Sequence, residues 1–249
     1  ALESLGFAFD QLLPVVGAPK RVLRIGRGHG ADRLVDEVGQ LAAEHAARRT
    51  IHPLDAARAD LGNKATLFAA LERFRVLCAE REGQRGAVAI NQFVGQHFRK
   101  ALDHPLDPGG RSEWYPGRPV MVLANDYLLK LFNGDIGIVL PDGSESLMVH
   151  FPDGDDASRP VAPLRLPEPE TAFATTVHKA QGSEFDRVLL MLPANLNRVV
   201  TRELLYTAVT RSRSGVTIVG GAEVVAKAIV SPTRRYTGLV ARLRESGRA

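Results

Sequence analysis

The stretch ATTVHKAQGSEFDRVLLMLP, from Ala174 to Pro193, decides the fold because it joins two apolar runs through a short polar segment. FATTV (173–177) and RVLLMLP (187–193) are strand candidates, and their near-continuous apolar character is typical of buried parallel strands. In open α/β sheets, ligands bind beyond the carboxyl ends of such strands. The sequence therefore predicts an α/β sheet in which the polar segment HKAQGSEF (178–185) borders a ligand site.

Further α/β elements lie on both sides of this stretch. Short apolar runs predict strands at Arg21–Ile25, RVLCA (75–79) and GVTIVG (215–220). Apolar residues at helical spacing predict helices over residues 31–49, 63–74, 87–102, 201–213 and 221–230. Thr201 is placed to cap the fourth of these helices, and Glu203 lies in its first turn.

A different texture interrupts the α/β pattern after about residue 103. Three short β-rich runs, PVMVLA (119–124), DIGIVL (135–140) and SLMVHF (146–151), are separated or followed by turn dipeptides such as Asn133-Gly134 and Asp153-Gly154. The segment PVAPLRLPEPE (160–170), with four prolines, closes this region. The pattern predicts a small antiparallel barrel inserted in the α/β domain.

Composition places the chain among ordinary soluble globular proteins, with 249 residues, 45% apolar and 24% charged. There is no apolar run long enough to span a membrane, and the first residues lack the basic region of a signal peptide. The single cysteine, Cys78, cannot form an internal disulfide, so we expect a reducing, cytoplasmic compartment. The net charge of +4 is compatible with a nucleic-acid partner, although an Arg-rich composition also arises from a GC-rich genome.

Several kinds of active site are missing from the sequence. There is no GxxxxGK[ST] phosphate loop, and GRGHG (26–30) lacks the lysine and hydroxyl residue that such a loop needs. No strand ends in paired acids, since Asp155-Asp156 falls in a predicted turn. The histidines are too scattered for zinc, and no GxSxG elbow is present. If the protein uses ATP, its phosphate-binding half lies elsewhere.

The polar segment after FATTV has the residue types of a phosphate or nucleotide site. Gly182 lets the backbone approach a ligand closely. Thr175, Thr176 and His178 offer donors for a phosphate, whereas Gln181 and Glu184 offer side chains for the sugar or phosphates of a nucleotide. The alternative is a polar turn that only connects two strands.

A second cluster, TAVTRSR (207–213), holds two arginines at the end of a predicted helix. Arg211 and Arg213 are two residues apart, about 200° around a helix axis, and so face different directions. An arginine that reaches a γ-phosphate stabilises the charge of the phosphoryl-transfer transition state. The alternative is a solvated helix end, where the helix dipole favours arginine.

The segments TTVHKAQGSEFDRVLLMLP (175–193) and VVTRELLYTAVTRSR (199–213) resemble motifs V and VI of superfamily 1 helicases. The resemblance is closest to the RecD subunits of bacterial RecBCD helicase–nucleases (exodeoxyribonuclease V, alpha chain). RVLCAEREGQRGAVAINQF (75–93), the segment 114–143 and RLPEPET (165–171) also resemble that family, in the same order. The resemblance extends over residues 72–240.

The resemblance implies a RecA-like, P-loop-NTPase-type domain with a parallel sheet, namely a second motor domain without a Walker A motif, that carries an inserted small SH3-like β-barrel. Residues 1–110 and 169–249 would form the motor domain, and residues 111–168 the barrel. ATP with Mg²⁺ would be bound mainly by a first RecA-like motor domain of the same protein, which is not in this sequence.

The resemblance also assigns roles to individual residues. Arg211 matches the arginine finger of motif VI. The segment VLRIGRGHGADRLV (22–35) resembles a divergent motif IV that contains a second γ-phosphate contact, although Gly26 replaces the usual aromatic residue. The implied ATP-binding residues are Gln181, Gly182, Glu184 and Arg27, the implied DNA-binding residues are Thr176 and His178, and no metal ligand is implied.

By this resemblance, the chain is the C-terminal part of an ATP-dependent 5′→3′ DNA helicase that processes double-strand breaks for recombination and repair. Its expected partners are single-stranded DNA, the first motor domain and the RecB and RecC subunits, with no membrane. This chain alone is expected to be inactive. Two alternatives stay open, a stand-alone RecD-like helicase and a non-catalytic module that binds DNA or protein.

Overall fold

A computed structural model describes residues 21–26, 63–101, 113–142, 146–154 and 157–233. The helix predicted over residues 31–49, residues 27–30 of the GRGHG segment and the Asp155-Asp156 pair lie outside these residues. The strands in chain order are β1 (Arg21–Gly26), β2 (Phe74–Cys78), β3 (Pro119–Val122), β4 (Ile136–Pro141), β5 (Leu147–Pro152), β6 (Ser158–Val161), β7 (Pro169–Thr171), β8 (Ala174–Thr176), β9 (Phe185–Met191) and β10 (Ser212–Val219). The helices are α1 (Lys64–Arg73), α2 (Ala87–Ala101), α3 (Arg202–Thr210) and α4 (Ala222–Val230), with a short 3-10 helix at Pro163–Arg165.

The first sheet is entirely parallel, with strand order β1-β10-β9-β2-β8. This confirms the parallel α/β sheet that the apolar runs predict. The central strand β9 is apolar on both faces because helices cover both. Val188 and Leu190 pack with α3 and α4, whereas Leu189 and Met191 pack with Ala87 and Ile90 of α2.

Local signals set the helix boundaries. The side chain of Asn63 accepts a hydrogen bond from the Thr66 amide at 3.0 Å and begins α1. The hydroxyl of Thr201 accepts from the Leu204 amide at 3.3 Å and begins α3, so its predicted capping role is confirmed. Cys78 is fully buried, and burial raises the pKa of its thiol to about 12. The thiol therefore stays protonated at neutral pH and belongs to the core.

The second sheet is antiparallel, with strand order β6-β5-β4-β3-β7, and lies between α2 and β8 in the chain. One face forms its own core around Val120, Val139 and Phe151. On its other side, Ile138 and Leu140 pack with residues of α1 and α2. The β-rich interruption is thus a packed sheet that is fixed to the helices of the first one.

The two sheets are joined by a short link, since only Ala172 and Phe173 separate β7 from β8. The buried side chain of Asn91 holds this link from α2, donating to the carbonyls of Thr171 at 2.7 Å and Ala174 at 2.9 Å. It also accepts from the Ala174 amide at 2.7 Å. Arg75, buried in β2, donates to the carbonyl of Ala172. Four hydrogen bonds from two buried side chains therefore set the position of the second sheet relative to β8.

Candidate functional site

The polar segment after β8 folds as a compact turn over residues 177–182. The Val177 amide donates to the Cys78 carbonyl at 3.0 Å, and the Ala180 amide donates to the Thr176 carbonyl at 3.2 Å. Val177 and Ala180 are buried in the same core as α3, whereas His178 is exposed. The apolar residues anchor the turn, and His178 and Gln181 face solvent.

Gly182 allows the chain to leave this turn. Its φ of +92° lies in the left-handed region, which a residue with a side chain adopts only with strain. A Cβ atom at this position would have no heavy atom within 4 Å, so backbone conformation alone requires glycine here. Residues 181–184 are all exposed, so a ligand can approach their backbone closely.

Arg211 lies directly beside this open backbone. Its carbonyl accepts from the Phe185 amide at 2.8 Å, which ties the end of α3 to the start of β9. Its guanidinium donates to the Ser183 carbonyl at 3.2 Å, the Thr207 carbonyl at 3.3 Å and the Thr210 hydroxyl at 3.3 Å. The structure therefore brings Arg211 together with the 181–184 segment, and it holds the guanidinium in one orientation.

The helix predicted over residues 201–213 is too long, since α3 ends at Thr210 and Arg211 is its C-cap. Ser212 already pairs with Phe185 as the first residue of β10, and its hydroxyl donates to the Asp186 carbonyl at 3.2 Å. Arg213 consequently lies on a strand. It donates to Glu184 at 3.3 Å and lies 3.6 Å from a carboxylate oxygen of Asp186. The two arginines do face different partners, but a change from helix to strand causes this.

Thr176 and His178 lie at the other end of the sheet. Register places Thr176 beside Cys78 and Cys78 beside Met191, while Phe185 is six residues earlier in β9. At about 3.3 Å per residue, the levels of Thr176 and Phe185 are about 20 Å apart along the strands. The carboxyl-end rule therefore describes only the first half of the polar segment, and the second half runs back to the amino edge where Arg211 lies.

A small cleft opens beside Thr176, between the two sheets. The residues that line it are Arg81, Ala87, Met121, Glu170, Thr171, Ala174, Thr175, Thr176 and Lys179. Sequence reasoning missed Asn91, Arg75 and Glu170 because each acts through a partner that is distant in the chain. No local pattern marks such residues.

Other expected features fall outside the described part or have no counterpart there. Arg27 lies outside the described residues. Within the part of the chain that the structure describes, no three His, Cys, Asp or Glu side chains are grouped so that they could hold a metal ion. No helix of the described ranges is long and apolar enough to cross a membrane.

Comparison with known proteins supports the family resemblance. Residues 171–219 match the UvrD-like helicase C-terminal domain, a range that holds Thr176, His178, Gln181, Gly182, Glu184 and Arg211. Over 189 residues, 75% of this chain and 32% of the relative, the chain is 42% identical to the RecBCD enzyme subunit RecD of Mycolicibacterium smegmatis. The RecD subunit of Haemophilus influenzae is 34% identical over 165 residues, 66% of this chain and 24% of the relative.

The chain is homologous to RecD helicase subunits. It spans about a third or less of the length of these curated RecD relatives. A further relative is the ATP-dependent RecD2 DNA helicase of Deinococcus radiodurans, 35% identical over 142 residues, 56% of this chain and 19% of the relative. Among solved structures, the chain aligns with Bacteroides Pif1 bound to ssDNA at a TM-score of 0.39 and 19% identity, covering 69% of this chain and 45% of Pif1.

Proposed function

We propose that this chain is the second RecA-like motor domain of a RecD-type, ATP-dependent 5′→3′ DNA helicase. The observation that carries the proposal is the contact between Arg211, at the end of α3, and Ser183, in the turn after β8. Within one domain it brings an arginine suited to a γ-phosphate against an open backbone suited to a nucleotide. ATP with Mg²⁺ binds between this domain and a first motor domain of the same protein.

In this proposal the two edges of the parallel sheet have different ligands. Gln181, Gly182 and Glu184, on the segment that runs from the turn towards the amino edge, contact the nucleotide, and Arg211 at that edge stabilises charge that develops on the γ-phosphate. Arg27 is a second γ-phosphate contact. At the other edge, Thr176 and His178 contact the backbone of single-stranded DNA. The levels of Thr176 and Phe185 are about 20 Å apart along the strands. This separation makes it possible for both ligands to bind at once.

The proposed domain boundaries follow the sequence, with residues 1–110 and 169–249 in the motor domain and 111–168 in an SH3-like barrel. The antiparallel order β6-β5-β4-β3 within residues 111–168 and the separate core around Phe151 support a small β domain in this region. The protein acts in the cytoplasm with RecB and RecC, in a complex that processes double-strand breaks. The RecD relatives are named as subunits of such an enzyme, which supports this assembly.

A stand-alone RecD-like helicase is the second candidate, and the similarity to RecD2 of Deinococcus radiodurans favours it. The two candidates differ in their need for RecB and RecC. The intact protein should unwind DNA alone if it is stand-alone, and only with its partners if it is a subunit. Purifying the intact protein and measuring unwinding with and without RecB and RecC separates them.

The test of the main proposal is replacement of Arg211 in the intact enzyme. Arg211→Ala should lower DNA-stimulated ATP turnover by about 10³- to 10⁵-fold, as expected for an arginine finger, while most of the affinity for single-stranded DNA is retained. Arg202→Ala, at the exposed start of the same helix, is the matched control and should leave turnover near normal. Near-normal turnover in Arg211→Ala would remove the finger assignment. DNA-stimulated turnover by the 249-residue chain alone would contradict the two-domain site.

A further inference from the structure

Three separate segments of the chain meet at Glu170, the central residue of β7. Lys179, from the turn after β8, forms a salt bridge with one carboxylate oxygen of Glu170. Arg81, from the loop between β2 and α2, lies 3.4 Å from the other oxygen. The two oxygens of one carboxylate thus hold cations from two segments outside the second sheet, while Glu170 itself belongs to that sheet.

The arrangement has two cations and two carboxylates, but only one of the carboxylates is shielded from solvent. Two cations share Glu170, and the other carboxylate near Arg81 is Glu82, at 3.8 Å and largely exposed. The side chain of Glu170 is only 22% exposed and that of Lys179 only 32% exposed, so water and salt screen their interaction less than that of a surface pair. Arg81, in contrast, is 58% exposed and presents its guanidinium to solvent at the mouth of the cleft.

A phosphate group can replace a carboxylate in such an arrangement. Its oxygens accept the same charge-assisted hydrogen bonds, from the point charge of a lysine and the planar fork of an arginine. Thr176 lines the same cleft, and its hydroxyl is a neutral group of the kind that contacts nucleic-acid backbones. The amide of Lys179 also lies 3.4 Å from the Thr176 hydroxyl, so the lysine is next to the proposed DNA contact.

We propose that Arg81 and Lys179 form a binding site for one backbone phosphate of single-stranded DNA, and that Glu170 occupies this site in the DNA-free protein. The inference rests on the proposed function, because it places the DNA at the edge that holds Thr176 and His178. Glu170 is a positioning residue. It keeps both cations directed into the cleft, and it gives them up when a phosphate binds.

This exchange also connects DNA binding to the second sheet. Glu170 lies in the edge strand β7, whose neighbouring residues Thr171 and Ala172 stay attached through Asn91 and Arg75. Loss of the Glu170 contacts therefore frees the turn after β8 from the second sheet, while the link between the sheets stays fixed. The turn is the part that moves when the phosphate binds.

The test uses the 249-residue chain, a fluorescently labelled oligothymidylate and binding curves at several NaCl concentrations. Glu170→Gln keeps the shape and a hydrogen-bond acceptor but removes the competing charge, so it should tighten binding about tenfold at low salt. The Arg81→Ala/Lys179→Ala double variant should weaken binding and reduce the slope of log K against log[salt] by about 0.7, the value for one phosphate of a single strand. Lys227→Ala, an exposed cation on α4, is the control for general charge loss and should leave the slope unchanged.

Each outcome has a defined meaning. If the wild-type chain binds the oligonucleotide but Glu170→Gln binds no tighter and the double variant keeps the full slope, the phosphate site is refuted and the proposed function stands. If the wild-type chain does not bind single-stranded DNA, the DNA-binding part of the proposed function fails together with this inference. If ATP displaces the oligonucleotide as well as unlabelled oligothymidylate does at matched ionic strength, the site takes a nucleotide phosphate and the proposal is wrong. If either of the other variants folds poorly, Arg81→Ala alone can replace it, because Arg81 is exposed. It should also reduce the slope of log K against log[salt].

Discussion

Replacing Gly182 with alanine tests how the turn after β8 delivers the 181–184 segment to Arg211. The φ of Gly182 is +92°, and no atom lies within 4 Å of the position where a Cβ would be, so the change introduces backbone strain without a collision. An L-residue in this region costs about 1–2 kcal/mol. The smaller conformational freedom of alanine in the unfolded chain returns about 0.4–1 kcal/mol of this. The expected net loss is about 1 kcal/mol, or about 2–4 °C in Tm for a chain of this size.

Gly134→Ala is the matched control. Its φ is +101°, and a Cβ there would also have no atom within 4 Å, but it lies in the turn before β4, in the second sheet. Both variants of the 249-residue chain should therefore lose similar stability in thermal unfolding followed by circular dichroism. In the intact enzyme only Gly182→Ala should reduce ATP turnover, because a shifted Ser183 carbonyl no longer holds the Arg211 guanidinium in place. Misplacement of about 1 Å can cost about a hundredfold in rate.

Three results would refute this reasoning. Equal Tm values for Gly182→Ala and the wild-type chain would show that the left-handed backbone is not required at position 182. Reduced stability of Gly182→Ala with normal ATP turnover would show that the turn geometry does not position Arg211. A loss of turnover in Gly134→Ala as large as in Gly182→Ala would mean that general destabilisation explains the effect.

Two further predictions concern stability. In Gly137→Ala the new Cβ would lie 2.7 Å from a methyl of Val149 and 2.9 Å from the His150 carbonyl, so the urea midpoint should fall by an amount equivalent to about 1–3 kcal/mol. In the control Gly95→Ala, the new Cβ would be close only to the Tyr115 hydroxyl, so this variant should lose little stability. Equal urea midpoints for the two variants would contradict this prediction. Burial acts to raise the pKa of Glu203, but hydrogen bonds from Thr233, from its own backbone and from Arg202 outweigh it and lower the pKa from 4.5 to about 2. The ionised Glu203 therefore stabilises the fold above pH 4.5, and this stabilisation is lost as the pH falls towards 2. The Tm advantage of the wild-type chain over Glu203→Gln should shrink across that pH window. A Tm difference that stays constant over the window would show that ionisation of Glu203 does not stabilise the fold.

The elements with strong local signals could be predicted from the sequence. The strands β2, β8, β9 and β10 are apolar runs that a covered parallel sheet requires, and all were found near the predicted places. The strands β6 and β7 were missed because prolines occur in both. The sheet order explains why these prolines are tolerated, since β6 and β7 are the two edge strands, where a missing amide donor need not break a ladder.

The end of α3 and the pairing of Glu184 with Arg213 could not be predicted, because both depend on contacts between distant residues. Helical periodicity continues from Thr201 to Arg213 in the sequence, yet Ser212 and Ser214 both donate to the Asp186 carbonyl and begin a strand instead. That strand places Arg213 against Glu184, 29 residues earlier. The proximity of Arg211 to the 181–184 segment, on the other hand, was expected from the family resemblance and not from any pattern in the residues.

The packing of the turn after β8 explains how the two edges of the sheet can influence each other in the proposed enzyme. Val177 and Ala180 in this turn share a core with Leu205 and Ala208 of α3, and α3 ends at Arg211. A close-packed core transmits a displacement instead of absorbing it. When a DNA phosphate replaces Glu170 at Lys179, the turn and α3 must therefore shift together, and the guanidinium that contacts Ser183 shifts with them. The same core predicts that enlarging Ala180, which is buried, disturbs ATP turnover and DNA affinity together, whereas an exposed change at His178 affects DNA affinity alone.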